Sequence, residues 1–363
     1  MNQRELIYSG SVKDIYQDNN THNLFFHFSD RYSIFDWGEM PDKIESKGKA
    51  LSVMGAFFFK YFSEPNNWMN IEASENKKSL KILSHLKEKG LNSHFIKLNS
   101  DFELEVKKVD VIRPSALVIG NKKTWKYNYN QSSKNCLIPL EVIFRFGMPK
   151  GSSLSKRLMN NLYIKEIGLE ETPKEGELFK EVIVEFSTKL EPEDRYINYQ
   201  EAQQISGMTD DEFKNLCEMT KLIAKQVSMI FKKLEIEVWD GKFEFAFDEK
   251  RELILVDSIG LDELRLQYKD KILSKEFLRQ YYRQSTWYQA LEKSKEYAKS
   301  HPLKNWKEYC LKELNSAPTP LPSELKLKAQ NLYTYIANEL NYLIDKSKPF
   351  SQEKSLMQFM QEF

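Results

Sequence analysis

The stretch over residues 240–265, DGKFEFAFDEKRELILVDSIGLDELR, constrains the fold more than any other part of the chain. Its period-two alternation sends Phe243, Phe245 and Phe247 one way and Lys242, Glu244 and Ala246 the other. The pattern predicts strands over 242–247 and 252–257, joined by the charged turn Asp248-Glu249-Lys250-Arg251. A short hairpin then brings Lys242 and Glu244 close to Asp257 at the open end of the second strand. One cation and two carboxylates at a strand end suit a magnesium ion and a phosphate chain. The same spacing is met by a half-buried hairpin with a solvated charged face, and spacing alone leaves both readings open.

At 363 residues the chain can bury a substantial core, as two domains or one elaborated domain. Lys plus Arg (54) nearly balances Asp plus Glu (53), so no global field argues for nucleic acid or an acidic membrane as partner. Apolar residues at 41% and aromatics at 13% belong to a globular chain. Cys136, Cys217 and Cys310 are far apart and odd in number, giving neither a disulfide framework nor a zinc pattern, which predicts a reducing cytoplasm. The five histidines lack ligand spacing, no signal peptide opens the chain, and no apolar run is long enough to span a bilayer. The expectation is a soluble intracellular protein.

Residues 1–30 read as a β-meander in which the turn Ser9-Gly10-Ser11 can lay backbone N–H groups over a phosphate, with Lys13 as counter-charge. A polar loop, Ser29-Asp30-Arg31-Tyr32-Ser33-Ile34-Phe35-Asp36, follows directly after a strand, a usual place for binding loops. Lys47-Gly48-Lys49 precedes an apolar segment, 50–62, whose Leu51, Met54, Phe57, Phe58 and Tyr61 fall at helical spacing and predict a core-facing stripe. Residues 102–112 read as a strand region, 120–135 as a polar surface insertion, and 137–144 as a strand ending at Arg145. Arg145 beside the loop 146–153 suits a phosphate or carboxylate, and a structural ion pair equally. A strand over 182–186 ends in Ser187-Thr188-Lys189. Thr209 and Glu212 have capping-box spacing before a helix over about 210–234. The remainder is mostly helical, broken at His301-Pro302 and Pro318-Thr319-Pro320, and no dinucleotide or Walker-type glycine motif occurs.

The order of these motifs resembles the SAICAR synthetase family of purine biosynthesis. Ser9-Gly10-Ser11-Val12-Lys13-Asp14-Ile15-Tyr16 is similar to its opening loop, and Ser29 to Asp36 to its Ser-Asp-Arg-x-Ser-x-Phe-Asp signature. Lys47-Gly48-Lys49-Ala50-Leu51 resembles its Lys-Gly-Arg-x-Leu. Ile138-Pro139-Leu140-Glu141 through Arg145, with Gly151-Ser152 beyond, resembles its Ile-Pro-x-Glu strand and Gly-Ser loop. Thr188-Lys189 and the segment from Asp240 through Lys242, Glu244, Asp257, Asp262 and Arg265 complete the series, and Leu321-Pro322-Ser323-Glu324 through Tyr333 is similar to its closing helix. The likeness covers about 5–265 and 318–340, interrupted by insertions near 115–135 and 283–317.

The resemblance implies an α+β, ATP-grasp-like architecture: a β-rich ATP lobe (1–112), an α+β lobe carrying the metal and substrate hairpin (113–265), and a helical extension (266–363) packed on the central lobe. It implies an amide ligase that uses ATP and Mg2+ to join carboxyaminoimidazole ribotide to L-aspartate through an acyl phosphate, with no nucleic-acid or membrane partner and with homo-oligomerisation left open. Gly10, Ser11, Val12 and Lys13 would cover the ATP phosphates. Val109, Asp110 and Val111 would lie along the adenine, with Glu141 and Lys189 also on the nucleotide. Glu244 and Asp257 would bind magnesium. Lys242, Arg145 and Arg265 would serve the reacting groups. Asp30, Ser33, Asp36, Arg145, Gly151, Ser152, Asp262 and Arg265 would line the substrate site. The chain departs from the pattern at Ser11 (usually lysine), Ser258 (usually glutamate), Leu264 (usually serine) and Glu193-Asp194-Arg195 (usually His-Asp-Glu). Two alternatives follow: a ligase of the same mechanism with another acid and amine, or a nucleotide-binding homologue without turnover.

Overall fold

The computed structural model describes residues 4–99, 102–119, 122–301 and 305–363; Pro302 and residues 120–121 of the expected insertion lie outside them. The N-terminal meander forms as β1 (Arg4–Ser9), β2 (Lys13–Asp18) and β3 (Leu24–Phe28). With β4 (Phe95–Leu98) and β5 (Leu104–Val106) it makes an antiparallel sheet in the order β1-β2-β3-β5-β4. The strand expected over 102–112 is shorter: ladder pairing stops at Val106, where the exposed Lys107 and Lys108 break the alternation, and one parallel bridge joins Asp110 to Cys136.

Helices α1 (Lys47–Ser63) and α2 (Lys77–Lys89) lie between β3 and β4. The expected stripe of α1 is instead apolar almost all round: Ala50, Val53, Ala56, Phe59 and Phe62 are buried as well as Leu51, Met54, Phe57, Phe58 and Tyr61. Such a helix must be covered on every side. Strands β3, β4 and β5 cover one side of α1, and α10 (Ser323–Asp345) covers another. Gly48 is required where α1 begins, because a Cβ there would sit 2.2 Å from the Phe28 carbonyl oxygen.

The central sheet is built from β9 (Leu140–Gly147), β10 (Leu178–Thr188), β11 (Tyr196–Ile197), β12 (Glu237–Phe247), β14 (Leu264–Tyr268) and β15 (Lys271–Ile272), in the order β11-β10-β9-β12-β14-β15. β8 (Cys136–Leu137) and β13 (Leu253–Val256) pair with the far end of β12, and β6 (Ser115–Ile119) pairs with β7 (Lys122–Lys126) as a separate hairpin in the insertion. Short helices α3 (Leu154–Arg157) and α4 (Asn161–Glu166) follow β9. After β11 come α5 (Tyr199–Ser206) and α6 (Asp210–Lys232), the latter opening with the predicted Thr209–Glu212 capping box. Helices α7 (Glu276–Arg283), α8 (Thr286–Ser300), α9 (Trp306–Lys312) and α11 (Leu356–Glu362) complete the chain. Among the described residues no helix is long and apolar enough to cross a membrane.

Register assigns each face of the central sheet a different role. Phe243 pairs with Val142, which pairs with Phe186; Gly241 pairs with Phe144, which pairs with Val184. These residues are buried on the side that α6 covers. Gly241 leaves room for a ring, since a Cβ would stand 2.7 Å from Phe144 Cζ. On the opposite face Arg265 pairs with Asp240, Asp240 with Arg145, Lys242 with Ile143, Ile143 with Glu185, and Glu141 with Ser187. Three central strands thus place Asp240, Lys242, Glu141, Arg145, Glu185 and Ser187 on one surface.

One apolar core runs from Phe26 through α1, the central sheet and α6 to Met360, so the boundaries expected at 112 and 265 do not separate cores. The central sheet continues to Ile272. The C-terminal extension, expected on the central lobe, lays α10 along α1 because α1 has apolar surface the small sheet leaves uncovered. Tyr333 of α10 still reaches the central lobe by donating to Asp262 at 2.5 Å.

Candidate active site

The small sheet meets the central hairpin where His94 N donates to Leu255 O and Leu255 N donates to Asn92 O. That junction brings the first glycine turn to the charged face. Gly10 N donates to Lys13 O at 2.9 Å, closing the turn, and Arg31 braces it by donating to Gly10 O (3.1 Å) and Asp14 Oδ1 (2.7 Å). Lys13 crosses to Asp257 as an ion pair and lies 4.4 Å from the Phe26 ring centroid. Asp257 has φ 65°, a left-handed conformation uncommon for a side chain with a Cβ. His94, with its Nε2 3.2 Å from the Asp257 carbonyl oxygen, steadies that backbone. Burial, then Lys13, pushes the imidazole down to about 3, so the neutral ring donates there. Neither Arg31 nor His94 was distinguished in the sequence as a supporting residue, and a lone histidine carries no spacing signal that would have marked it.

Beside this pair, Lys189 donates to Glu244 Oε1 at 2.5 Å, Lys242 pairs with Glu141, and Lys242 Nζ stands 3.9 Å from Glu244. Ser187 Oγ donates to the other oxygen of Glu141 at 3.2 Å. Burial opposes the Glu244 charge, but Lys189, Lys242 and Lys13 outweigh it and hold its pKa below the ordinary carboxylate value. Burial likewise opposes the Lys242 charge, and Glu141 and Glu244 outweigh it in turn. Lys13 behaves differently: burial, only partly countered by Glu244, pushes it down to about 8. Asp194 is pushed up to about 7 by desolvation and then by Glu141, against Lys242 and Lys189. The hairpin therefore gathers Lys13, Lys189 and Lys242 with Glu141, Glu244 and Asp257. Val109 packs beside them on a small apolar cluster of Leu137, Ala246, Ile254 and Val256, on the same side of the sheet; Asp110 and Val111 are exposed next to it.

About two strand residues away along the same face, roughly 7 Å, lies a second, arginine-rich cluster. Arg145 was expected at a strand end; it lies inside β9, which continues to Gly147, because register with β10 and β12 extends through it. Its side chain is 3% exposed, paired with Glu185, donating to Asp240 Oδ2 at 2.5 Å and to Tyr196 Oη at 3.3 Å. Arg157 also holds Glu185 at 2.7 Å, and Arg265 Nη1 stands 3.3 Å from Asp240. The structural ion pair left open by the sequence is present.

Other expected substrate residues are engaged within the fold. Asp30 accepts from Gly48 N (2.9 Å) and Ser46 N (3.2 Å), tying its loop to the start of α1. Asp262 sits between the fully buried Lys47 (2.9 Å) and Lys275 (2.8 Å). Ser33 accepts from Gly38 N at 3.2 Å, and the buried Ser152 accepts from Leu154 N at 3.3 Å. Gly151, with φ 71°, is exposed with open space around it, and Asp36 projects to the surface.

A model of the SAICAR synthetase family matches residues 6–77 and 72–294 of this chain. The putative phosphoribosylaminoimidazole-succinocarboxamide synthase of Archaeoglobus fulgidus is 36% identical over 321 residues, spanning 87% of each chain. The phosphoribosylaminoimidazole-succinocarboxamide synthase of Thermoplasma acidophilum is 30% identical over 337 residues, 91% of this chain and 96% of that one. Among solved structures, SAICAR synthase from Saccharomyces cerevisiae complexed with SAICAR shares the fold at 22% identity and TM-score 0.57, covering 96% of this chain and 97% of that one. A SAICAR synthetase in complex with ADP does so at 24% identity and TM-score 0.52, covering 76% and 90%. The α+β fold is the one these structures share, and the relatives in sequence make the class that of a carbon–nitrogen ligase. The chain belongs to the SAICAR synthetase family.

Proposed function

We propose that this chain uses ATP to join carboxyaminoimidazole ribotide and L-aspartate, giving SAICAR, ADP and phosphate in purine biosynthesis. The observation that carries the reading is the convergence of three lysines and three carboxylates where the small sheet meets the charged face of the central sheet, beside a small apolar cluster. In this reading that cluster, with Val109, offers a purine ring an apolar wall, and Lys13 and the Gly10-Ser11-Val12 turn take the phosphate chain. The lysines are bound to carboxylates that a triphosphate would replace as partners.

Among the described residues, no group of three or more His, Cys, Asp or Glu side chains could hold a metal by itself. Glu244 and Asp257 nevertheless fit magnesium, which commonly takes one or two carboxylates and completes its shell with substrate phosphate and water. Bound to them, it would neutralise phosphate oxygens during transfer. The chain's own part is positional. Lys242 holds the transferred phosphoryl group in line with the ribotide carboxylate, whose oxygen attacks the γ-phosphorus as ADP leaves. The aspartate amine then attacks the acyl carbon and phosphate departs with the carboxylate oxygen. A resonance-stabilised carboxylate is a poor acyl donor, so this activation must precede amide formation; alignment and charge neutralisation supply it without a protein nucleophile. Arg265, 22% exposed, is better placed than Arg145 to meet a substrate anion. Three cysteines without disulfide pairing suit a cytoplasmic enzyme.

ADP release should require the ribotide and aspartate together with Mg2+; turnover only with a different acid–amine pair would replace this assignment with the diverged-ligase reading. A pH series offers a second check. Because folding lowers the Lys13 pKa from 10.5 to about 8, the folded chain holds fewer protons than the unfolded one between those values, and this group's contribution to stability rises with pH there. Nucleotide binding has the opposite sign, since it needs the ammonium. The Kd for ADP is expected to rise by about tenfold from about pH 7 to about pH 9, and Lys13→Arg should flatten that rise in a fluorescence titration.

A further inference from the structure

Helices α8 and α9, inside the insertion expected near 283–317, contact the loop that carries Ser33 and Asp36. Lys295 of α8 donates to the Phe35 carbonyl at 2.9 Å and pairs with Asp36 Oδ2 at 3.0 Å. Those two loop residues have φ 55° and 61°, consecutive left-handed conformations that an unsupported loop rarely holds. The flanking contacts are aromatic: Phe35 lies 4.8 Å from Tyr288, and Trp37 lies 5.3 Å from Trp287 and 5.9 Å from Trp306, centroid to centroid. Lys307 of α9 donates to the Trp37 carbonyl. Lys295, Trp306 and Lys307 all lie beyond residue 294, where the family-model match ends.

The Asp36 side chain is 84% exposed, and its only partner among the described contacts is Lys295. It acts electrostatically on Asp194, which in turn feels Glu141, Lys242 and Lys189. The same loop carries Arg31, which braces the Gly10 turn beside Lys13, so the Lys295–Asp36 pair stands on a loop that adjoins the charged face. Unpaired, Asp36 would add a negative charge felt at Asp194, on the side where the proposed acid, its phosphate and the incoming amino dicarboxylate are all anionic.

We propose that Lys295 is a positioning residue for the acceptor substrates: it fixes the Phe35-Asp36 corner and cancels the Asp36 charge, so that anions can enter. This rests on the ligase reading above. Its structural part is separately testable, because Arg31 and the exposed Lys43 offer trypsin sites on either side of the loop.

Lys295→Gln is expected to raise KM for L-aspartate or the ribotide about tenfold, to leave the Kd for ADP within about twofold, and to speed tryptic cleavage after Arg31 or Lys43 severalfold. Lys295→Arg should restore the KM and slow cleavage again. The proposal is overturned if both acceptor KM values stay within about twofold of wild type in an active enzyme. A parallel loss of ADP affinity, or a cleavage rate unchanged in Lys295→Gln, would also overturn it. If the wild-type enzyme gives no turnover with the ribotide and aspartate, the ligase reading fails, while the cleavage rates still decide whether Lys295 holds the loop.

Discussion

Glu244→Gln should reduce ADP release in the presence of Mg2+, ribotide and aspartate by about a thousandfold or more, while lowering stability far less. The carboxylate is buried and carries Lys189 at 2.5 Å with Lys242 at 3.9 Å. The amide keeps the shape and one acceptor oxygen but removes the charge that two lysines and a metal ion would share. Asp257→Asn should act similarly, through the partner of Lys13. Steady-state ADP release, with a thermal melt as control, checks both; a Glu244→Gln enzyme with near-normal turnover would remove the metal from this end of the hairpin.

Arg145→Ala is expected to cost about 3–5 kcal/mol of stability, the range for breaking a buried ion pair by removing one partner. Glu185 and Asp240 would remain buried, with Glu185 held by Arg157 and the Tyr163 hydroxyl at 2.5 Å. Burial opposes the Arg145 charge, but Asp240 and Glu185 outweigh it, so the guanidinium stays charged at any working pH. Urea denaturation at constant m-value measures the loss. A variant of wild-type stability with only a raised ribotide KM would instead make Arg145 a ligand-binding residue alone.

These two residues also show what a sequence can and cannot disclose. The hairpin was legible because period-two alternation at Phe243, Phe245 and Phe247 fixes which face Lys242 and Glu244 share, and strand register follows from that face being buried. The capping box at Thr209 was legible for an equally local reason. Arg145 was visible as a residue near a phosphate-like loop, but its partner Glu185 comes from another strand, and cross-strand register is not written in either segment alone. The cover of α1 by α10 depends on contacts between segments far apart in the chain, Lys47–Ser63 and Ser323–Asp345.

Two departures from the family pattern acquire a different meaning in three dimensions. Leu264 is buried opposite Gly241, with its Cδ2 2.6 Å from where a Gly241 Cβ would stand, so it packs the apolar side of the sheet. Ser258 is buried, its Cβ 3.4 Å from the position a Cβ on Gly55 of α1 would take. Both departures face packed neighbours, which weakens the case for a changed acid or amine. Ser11 remains in the glycine turn, where the family's usual lysine would add a fourth cation.

The most direct measurement uses ribotide labelled with 18O in both oxygens of the carboxylate to be activated, supplied with ATP, Mg2+ and L-aspartate. If a carboxylate oxygen attacks the γ-phosphorus on this sheet face, each turnover delivers one labelled oxygen to inorganic phosphate. Amide formation with unlabelled phosphate would contradict the account.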